Sequence, residues 1–285
     1  MKKQLKILLL LLPFLAVTGL VVVSIWNILV QSLGYIPAFD LTTLTADYYL
    51  AVLTDETFLS ALWVSLKTAF VSAVLASVFG VLVCAALVGR SGAVHVVRLP
   101  ILVPHTVVAL FVITIFSQTG LLARFAYALG LITDYTEFPA LLYTESYAGV
   151  ILAYLWKEIP FVAYFVLALM SAVSSTLGEA ARNLGASPLR AFLQITLPLS
   201  MPAVSKAFLI IFIFAFGGYE LPLILGATLP KALPVQAYLA YMDPNLLNRP
   251  YAMAMNGVIL LLSLAMAALY AVLTGRLMRK YGGAA

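Results

Sequence analysis

Four ionisable side chains lie inside long apolar stretches: Lys67, Lys157, Glu158 and Glu220. A charge held away from water is costly and marks places where ions, protons or solutes are handled. Glu220 has the most suggestive setting. It sits in Gly217-Gly218-Tyr219-Glu220-Leu221-Pro222, where two glycines and a proline interrupt a helix. Broken helices at membrane depth line cavities. Glu220 and Tyr219 are therefore candidates for a solute pathway. Trp156, Lys157 and Glu158, ahead of Ile159-Pro160, are a second candidate group. The alternative for Lys157 and Glu158 is pairing with each other or with other helices, and for Lys67 it is snorkelling. Catalytic chemistry finds no footing. The chain has no G-x-x-x-x-G-K-[ST], G-x-S-x-G or H-E-x-x-H. His95 and His105 are isolated, and the only cysteine, Cys84, allows neither an internal disulfide nor a thiolate cluster. No metal site, no catalytic residue and no enzymatic activity are expected.

The composition defines what surrounds these groups. Hydrophobic residues make up 64% of the 285 residues and charged residues 9%, against roughly 25% charged in soluble domains. That excludes a soluble protein and predicts an all-α, polytopic membrane protein. A net charge of +5 bears on orientation and anionic lipid, not on nucleic acid. Six transmembrane helices are expected near 7–33, 58–88, 99–117, 147–173, 203–225 and 251–274, forming a single domain over 1–285. Lys2, Lys3 and Lys6 before the first apolar run resemble a signal-peptide start. The run is too long for one and no small-x-small site closes it, so an uncleaved first helix is expected. Ala69, Ala73 and Ser77 recur every four residues in the second span and permit close helix approach. Pro100 and Pro104 open the third, which needs neighbours to satisfy its backbone. Segment 118–146 is ambiguous. Its apolar piece, Leu121 to Ile132, is too short to cross a bilayer and suits the outer surface or a partly inserted hairpin.

An even number of spans puts both termini on one side. Eleven of the sixteen Lys and Arg residues fall at the two termini, in the 89–98 loop and between residues 174 and 206. Three (Arg124, Lys231, Arg249) fall on the other face. The positive-inside rule then places the N-terminus, the C-terminus and segment 176–202 in the cytoplasm.

Segment 176–202 carries the densest local signals: TLGEAARNLGASPLRAFLQITLPLSMP. Thr176 three residues before Glu179 has capping-box spacing. Gly185 suits a left-handed helix stop. Ser187-Pro188 suits an N-cap followed by proline at the first helical position. A second short helix is expected from Pro188 until Pro198 breaks it.

Here a resemblance enters. Glu179-Ala180-Ala181, Gly185, Ile195 and Leu197-Pro198, at these spacings, resemble the EAA loop of permease subunits of bacterial ATP-binding-cassette importers. The resemblance covers most of the chain. It implies the type I importer permease fold and a coupling role for Glu179, Ala180, Ala181, Gly185, Ser187 and Pro188 against a cytoplasmic ATPase dimer. It implies that ATP and Mg are bound by that partner and that this chain binds no cofactor. It further implies an extracytoplasmic solute-binding protein and a second permease subunit, with a heterodimer favoured over a homodimer. For Glu179 the alternative is that it only caps its own helix. Tyr219 to Pro222, Leu225-Gly226, Leu233-Pro234-Val235 and Arg249-Pro250 are similar to permeases of the polyamine, thiamine, ferric-iron and phosphonate group. Glu220 and the outer-face carboxylates suit a small organic cation such as a polyamine, and Lys157 opposes that. Other solutes of the same machinery, sugars included, remain alternatives. Two other classes compete: a membrane enzyme, which would need a second set of polar residues clustered at one depth, and a secondary transporter, which would need repeat symmetry and ion-coordinating groups within the membrane.

Overall fold

A computed structural model of the chain describes residues 2–88 and 91–281. Arg90 lies outside the described residues, as do the side chains of Lys2, Lys3, Lys6, Arg276, Arg279 and Lys280, so the charge tally there is a property of the sequence. The described residues form α1 (Lys2–Ser32), α2 (Asp47–Thr54), α3 (Phe58–Leu87), α4 (Ser91–Val97), α5 (Leu99–Leu102), α6 (His105–Phe116), α7 (Leu121–Ala128) and α8 (Ala148–Val173). Then come α9 (Glu179–Asn183), α10 (Pro188–Ala191), α11 (Leu197–Gly217), α12 (Glu220–Leu225), α13 (Leu233–Tyr241) and α14 (Arg249–Tyr281). Extended pairing among them is confined to one bridge, Ile36 with Leu41. Six stretches are long and apolar enough to cross a membrane: Leu10–Ser32, Phe58–Leu87, His105–Ala128, Ala148–Asn183, Pro188–Gly217 and Leu246–Val272. At about 1.5 Å per residue each reaches roughly the 30 Å of a hydrocarbon core.

The third and fifth spans depart from their expected extents by a break or a shifted start, and proline explains the first of these. The third was expected from residue 99. Instead α5 stops at Leu102, Val103 is extended (ψ 130°) and α6 begins at His105. A residue preceding proline is pushed out of the helical region, so Pro104 imposes this break. Residues 121–128 of the ambiguous segment are helical, after a tight turn at Gly120. A Cβ there would lie 2.8 Å from the Thr114 carbonyl oxygen, so only glycine fits. The fifth span was expected over 203–225. Its helix starts earlier, ends at Gly217, and resumes as α12 after an extended Gly218.

The chain divides into two compact units. The first comprises residues 1–58 and 236–264. In it the Ser32 and Tyr49 hydroxyls share a 2.8 Å hydrogen bond, and the Tyr251 hydroxyl donates to Asp55 Oδ2 at 3.2 Å. Gly257 is open to the Tyr49 ring, which leaves no room for a side chain.

The second unit comprises residues 59–235 and 265–285. Its core joins α3, α8 and α11 through Ala73, Ala76, Cys84, Val162, Val166, Met170, Ala207 and Ile211, among others. Lipid is as apolar as these side chains, so close van der Waals fit holds the helices together. The small residues of α3 serve this: Ala69 and Ala73 are wholly buried and Ser77 nearly so. Gly80 lets α3 approach α8 closely, since a Cβ there would lie 2.5 Å from Val162 Cβ. Lys67, for which snorkelling was the alternative to a functional role, reaches from α3 to the Glu145 carbonyl oxygen at 3.5 Å.

Candidate functional site

One end of the second unit is a helix-turn-helix tip. α8 does not end before it. The chain passes through a wide π turn at Ser174–Gly178, in which the Glu179 N–H bonds back five residues to Ser174, and continues into α9. Thr176 is therefore not an N-cap as its spacing suggested. It sits mid-helix, and its hydroxyl donates to the Ala172 carbonyl oxygen at 2.8 Å. The apolar residues before it keep the helix running, so there is no new terminus to cap. Nor does Glu179 cap by its side chain.

The stop at Gly185 is real. Its φ is +94°, a region in which a Cβ is strained. The Ala186 N–H bonds to the Ala181 carbonyl at 3.0 Å and the Gly185 N–H to the Arg182 carbonyl at 2.9 Å, a complete Schellman pair. The next helix begins as its sequence dictates: Ser187 Oγ accepts the Arg190 N–H at 3.3 Å, with Pro188 in the first turn. Pro198 was expected to end this helix, and it does not. A second π turn at Phe192–Thr196 precedes it, and the widened turn lets the helix run on past Pro198 into α11. The two wide turns face each other, a Cβ on Gly178 lying 3.3 Å from the Thr196 hydroxyl.

The tip is left open. Glu179, Ala180, Gly185, Ser187 and Pro188 are exposed and Ala181 is half-buried. Leu184, unremarked in the sequence, is 90% exposed beside the glycine stop. An apolar residue immediately before a glycine C-cap was the available signal.

The second feature lies where the helix breaks meet. A cavity of about 300 Å3 is lined by His105, Tyr154, Phe214, Gly218, Tyr219, Glu220 and Leu221. The α6 start brings His105, and the α11–α12 break brings Gly218 to Glu220. The His105 and Phe214 rings are 5.2 Å apart. Tyr154 is fully buried and donates to the Ala215 carbonyl at 3.4 Å. Its hydroxyl occupies the space above Gly218, where a Cβ would come within 2.7 Å. The glycine at this break is thus a close-approach residue. His105 Nε2 is shielded from solvent and has no hydrogen-bond partner among the described residues.

Of the expected pathway residues, Tyr219 and Glu220 line this cavity. Trp156, Lys157 and Glu158 do not. Trp156 is partly exposed, its ring edge-on to Phe111 with centroids 6.1 Å apart. Lys157 is buried and gives its ammonium to the carbonyls of Ile101, at 3.3 Å, and Val103. Those acceptors are freed by the Pro104 break, and a cation suits a helix C-terminus. Glu158 is also buried. His105 and Tyr154 were missed because neither sits in a motif; only the folded break brings them to Glu220.

Residues 93–279 match the family described as "Binding-protein-dependent transport system inner membrane component". The chain belongs to this family: it is the non-catalytic permease subunit of a type I ATP-binding-cassette importer, a multi-pass protein of the inner membrane. It is 28% identical over 223 residues, 76% of this chain and 75% of the relative, to a probable sulfate transport system permease protein cysT of Nephroselmis olivacea. It is 31% identical over 157 residues, 53% of this chain and 54% of the relative, to the molybdate/tungstate transport system permease protein WtpB of Thermococcus kodakarensis. A bacterial ABC transporter involved in import of the acidic polysaccharide alginate superposes with a TM-score of 0.76 at 20% identity, covering 96% of this chain and 98% of the other.

Proposed function

We propose that this permease forms half of an import pathway for a small tetrahedral oxyanion of the sulfate or molybdate kind, driven through the 176–202 tip by a separate ATPase. The similarity to sulfate and molybdate/tungstate permeases carries the substrate class. The organic-cation expectation rested on Glu220 and the outer carboxylates, and polyamine specificity gains nothing from these relatives. The exposed tip supports coupling. Glu179 and the small Ala180 and Ala181 offer a close-fitting helix face, Gly185 turns the chain, and Ser187 and Pro188 start the return helix. Leu184 adds an apolar knob for a cleft in the ATPase. In this reading ATP and Mg reside on the ATPase, and a solute-binding protein delivers the oxyanion from outside. A second, non-identical permease completes the pathway in this reading. Glu220 and Tyr219 face the solute, whereas Lys157 serves the helix break.

The test is uptake by proteoliposomes holding the complete transporter and its binding protein. Labelled sulfate or molybdate is expected to accumulate with ATP and labelled putrescine is not. Putrescine accumulation without oxyanion uptake would return the cation reading.

A further inference from the structure

Away from the tip and the Glu220 cavity, residues 117–138 build a third feature. α6 ends at an extended Ser117, and the tight turn at Gly120 sends α7 off its axis. α7 is two-faced. Leu121, Leu122 and Phe125 share one side, with Leu129 just past the helix end, and all four are exposed. The other side buries Ala123 and borders a cavity of about 290 Å3. Gln118, Thr119, Arg124, Tyr127 and, from the following loop, Tyr135 line it. Arg124 is the charged residue among them. Its Nε donates to the Thr119 carbonyl oxygen at 2.9 Å, which anchors the guanidinium and engages one of its five N–H donors. Gln118 Nε2 donates to the Phe138 carbonyl oxygen at 2.9 Å and ties the loop to the cavity wall. The loop carboxylates, Asp134 and Glu137, accept from Thr136 and Thr133, and neither lines the cavity.

We propose that this feature is a phospholipid site: α7 lies in the membrane interface with its apolar side on acyl chains, and the cavity holds the headgroup phosphate on Arg124. Its place fits. Residues 117–147 join α6 to the start of α8, whereas the tip follows the other end of α8. His105–Ala128 is one continuous apolar stretch, so α7 sits where a span leaves the bilayer. Its chemistry fits as well. A guanidinium matches a phosphate with paired N–H donors. The exposed Tyr127 and Tyr135 are of the type that gathers at headgroup level. An apolar side next to a cation is the pattern of helices that lie in the interface. A free anion would answer Arg124 and leave the leucines and Phe125 in water. A phospholipid covers both at once.

The experiment places a nitroxide on Ala128→Cys, an exposed position at the end of α7, in the complete transporter with cysteine-free partner chains. The native Cys84 is buried and stays unlabelled. In phosphatidylglycerol vesicles the label is expected to collide more with oxygen than with a water-soluble nickel chelate. In maltoside detergent, which carries no phosphate, added phosphatidylglycerol is expected to slow the label. Its half-effect concentration is expected to rise about tenfold in Arg124→Gln, the weight of a hydrogen bond to a charged group, and to change little in Arg124→Lys. A merely structural Arg124 would alter the label's motion before lipid is added and leave that concentration where it was, which would overturn the proposal. Slowing by inorganic phosphate alone would overturn it in favour of a free-anion site. Dominant nickel collisions, or slowing only when the solute-binding protein is added, would overturn it in favour of a protein-docking face.

Discussion

Lys157 shows how one residue's role changes once its partners are known. In sequence it is a charge in an apolar helix and a pathway candidate. In the structure its ammonium closes the gap that Pro104 opens, accepting the task of satisfying two carbonyls. Lys157→Met is therefore expected to lower thermal stability of the purified transporter by about 1–3 kcal/mol, the cost of orphaned buried acceptors. Thermal unfolding in detergent measures this, and unchanged unfolding would show the carbonyls to be satisfied otherwise. Glu220 stood out because glycine and proline mark a break in the text. His105 and Tyr154 had no such mark, since their meeting with Glu220 depends on which helix packs on which. Pairing across breaks is a long-range property, and local residue chemistry does not encode it.

At the scale of elements, glycine spacing does much of the positioning. Gly80 lets α3 lie against α8 near Val162. Gly80→Ala is expected to destabilise the second unit by about 1–3 kcal/mol through overpacking, seen as lower Tm with assembly retained at low temperature. The tip elements were legible where capping rules apply: the Gly185 stop and the Ser187-Pro188 start follow local chemistry. The π turns were not legible, because a wide turn arises from fitting a continuing helix past Gly178 and Pro198. In the 133–138 loop, Thr136 holds the Asp134 carboxyl below its ordinary range by side-chain and backbone hydrogen bonds, and Thr133 does the same for Glu137, chiefly through its N–H. Both carboxylates are ionised in the ordered loop, so their contribution is present above the usual carboxylate range and is lost as pH falls below that range through the lowered values. Hydrogen exchange at residues 133–138 is expected to quicken on acidification to about pH 3. Rates independent of pH, after correction for intrinsic exchange, would show the threonine contacts to be idle.

At the scale of the molecule, the six-span class was legible from composition and charge asymmetry, because lipid imposes few solutions on an apolar chain. The exposed tip is marked in the sequence by seven spaced residues, and its open surface suits the coupling role proposed for it. Substrate was the least legible property. The carboxylates suggested a cation, while relatives carry oxyanion names; charges on the outer face and in one cavity do not report a solute that a separate binding protein selects. The central claim is that motion enters through the tip. Its most direct measurement is ATP-dependent uptake with Gly185→Asp, in which a side chain is forced onto φ +94° while the spans are untouched. With equal insertion into the membrane, uptake is expected to fall by at least about tenfold. Uptake equal to wild type would contradict the assignment of the tip as the coupling element.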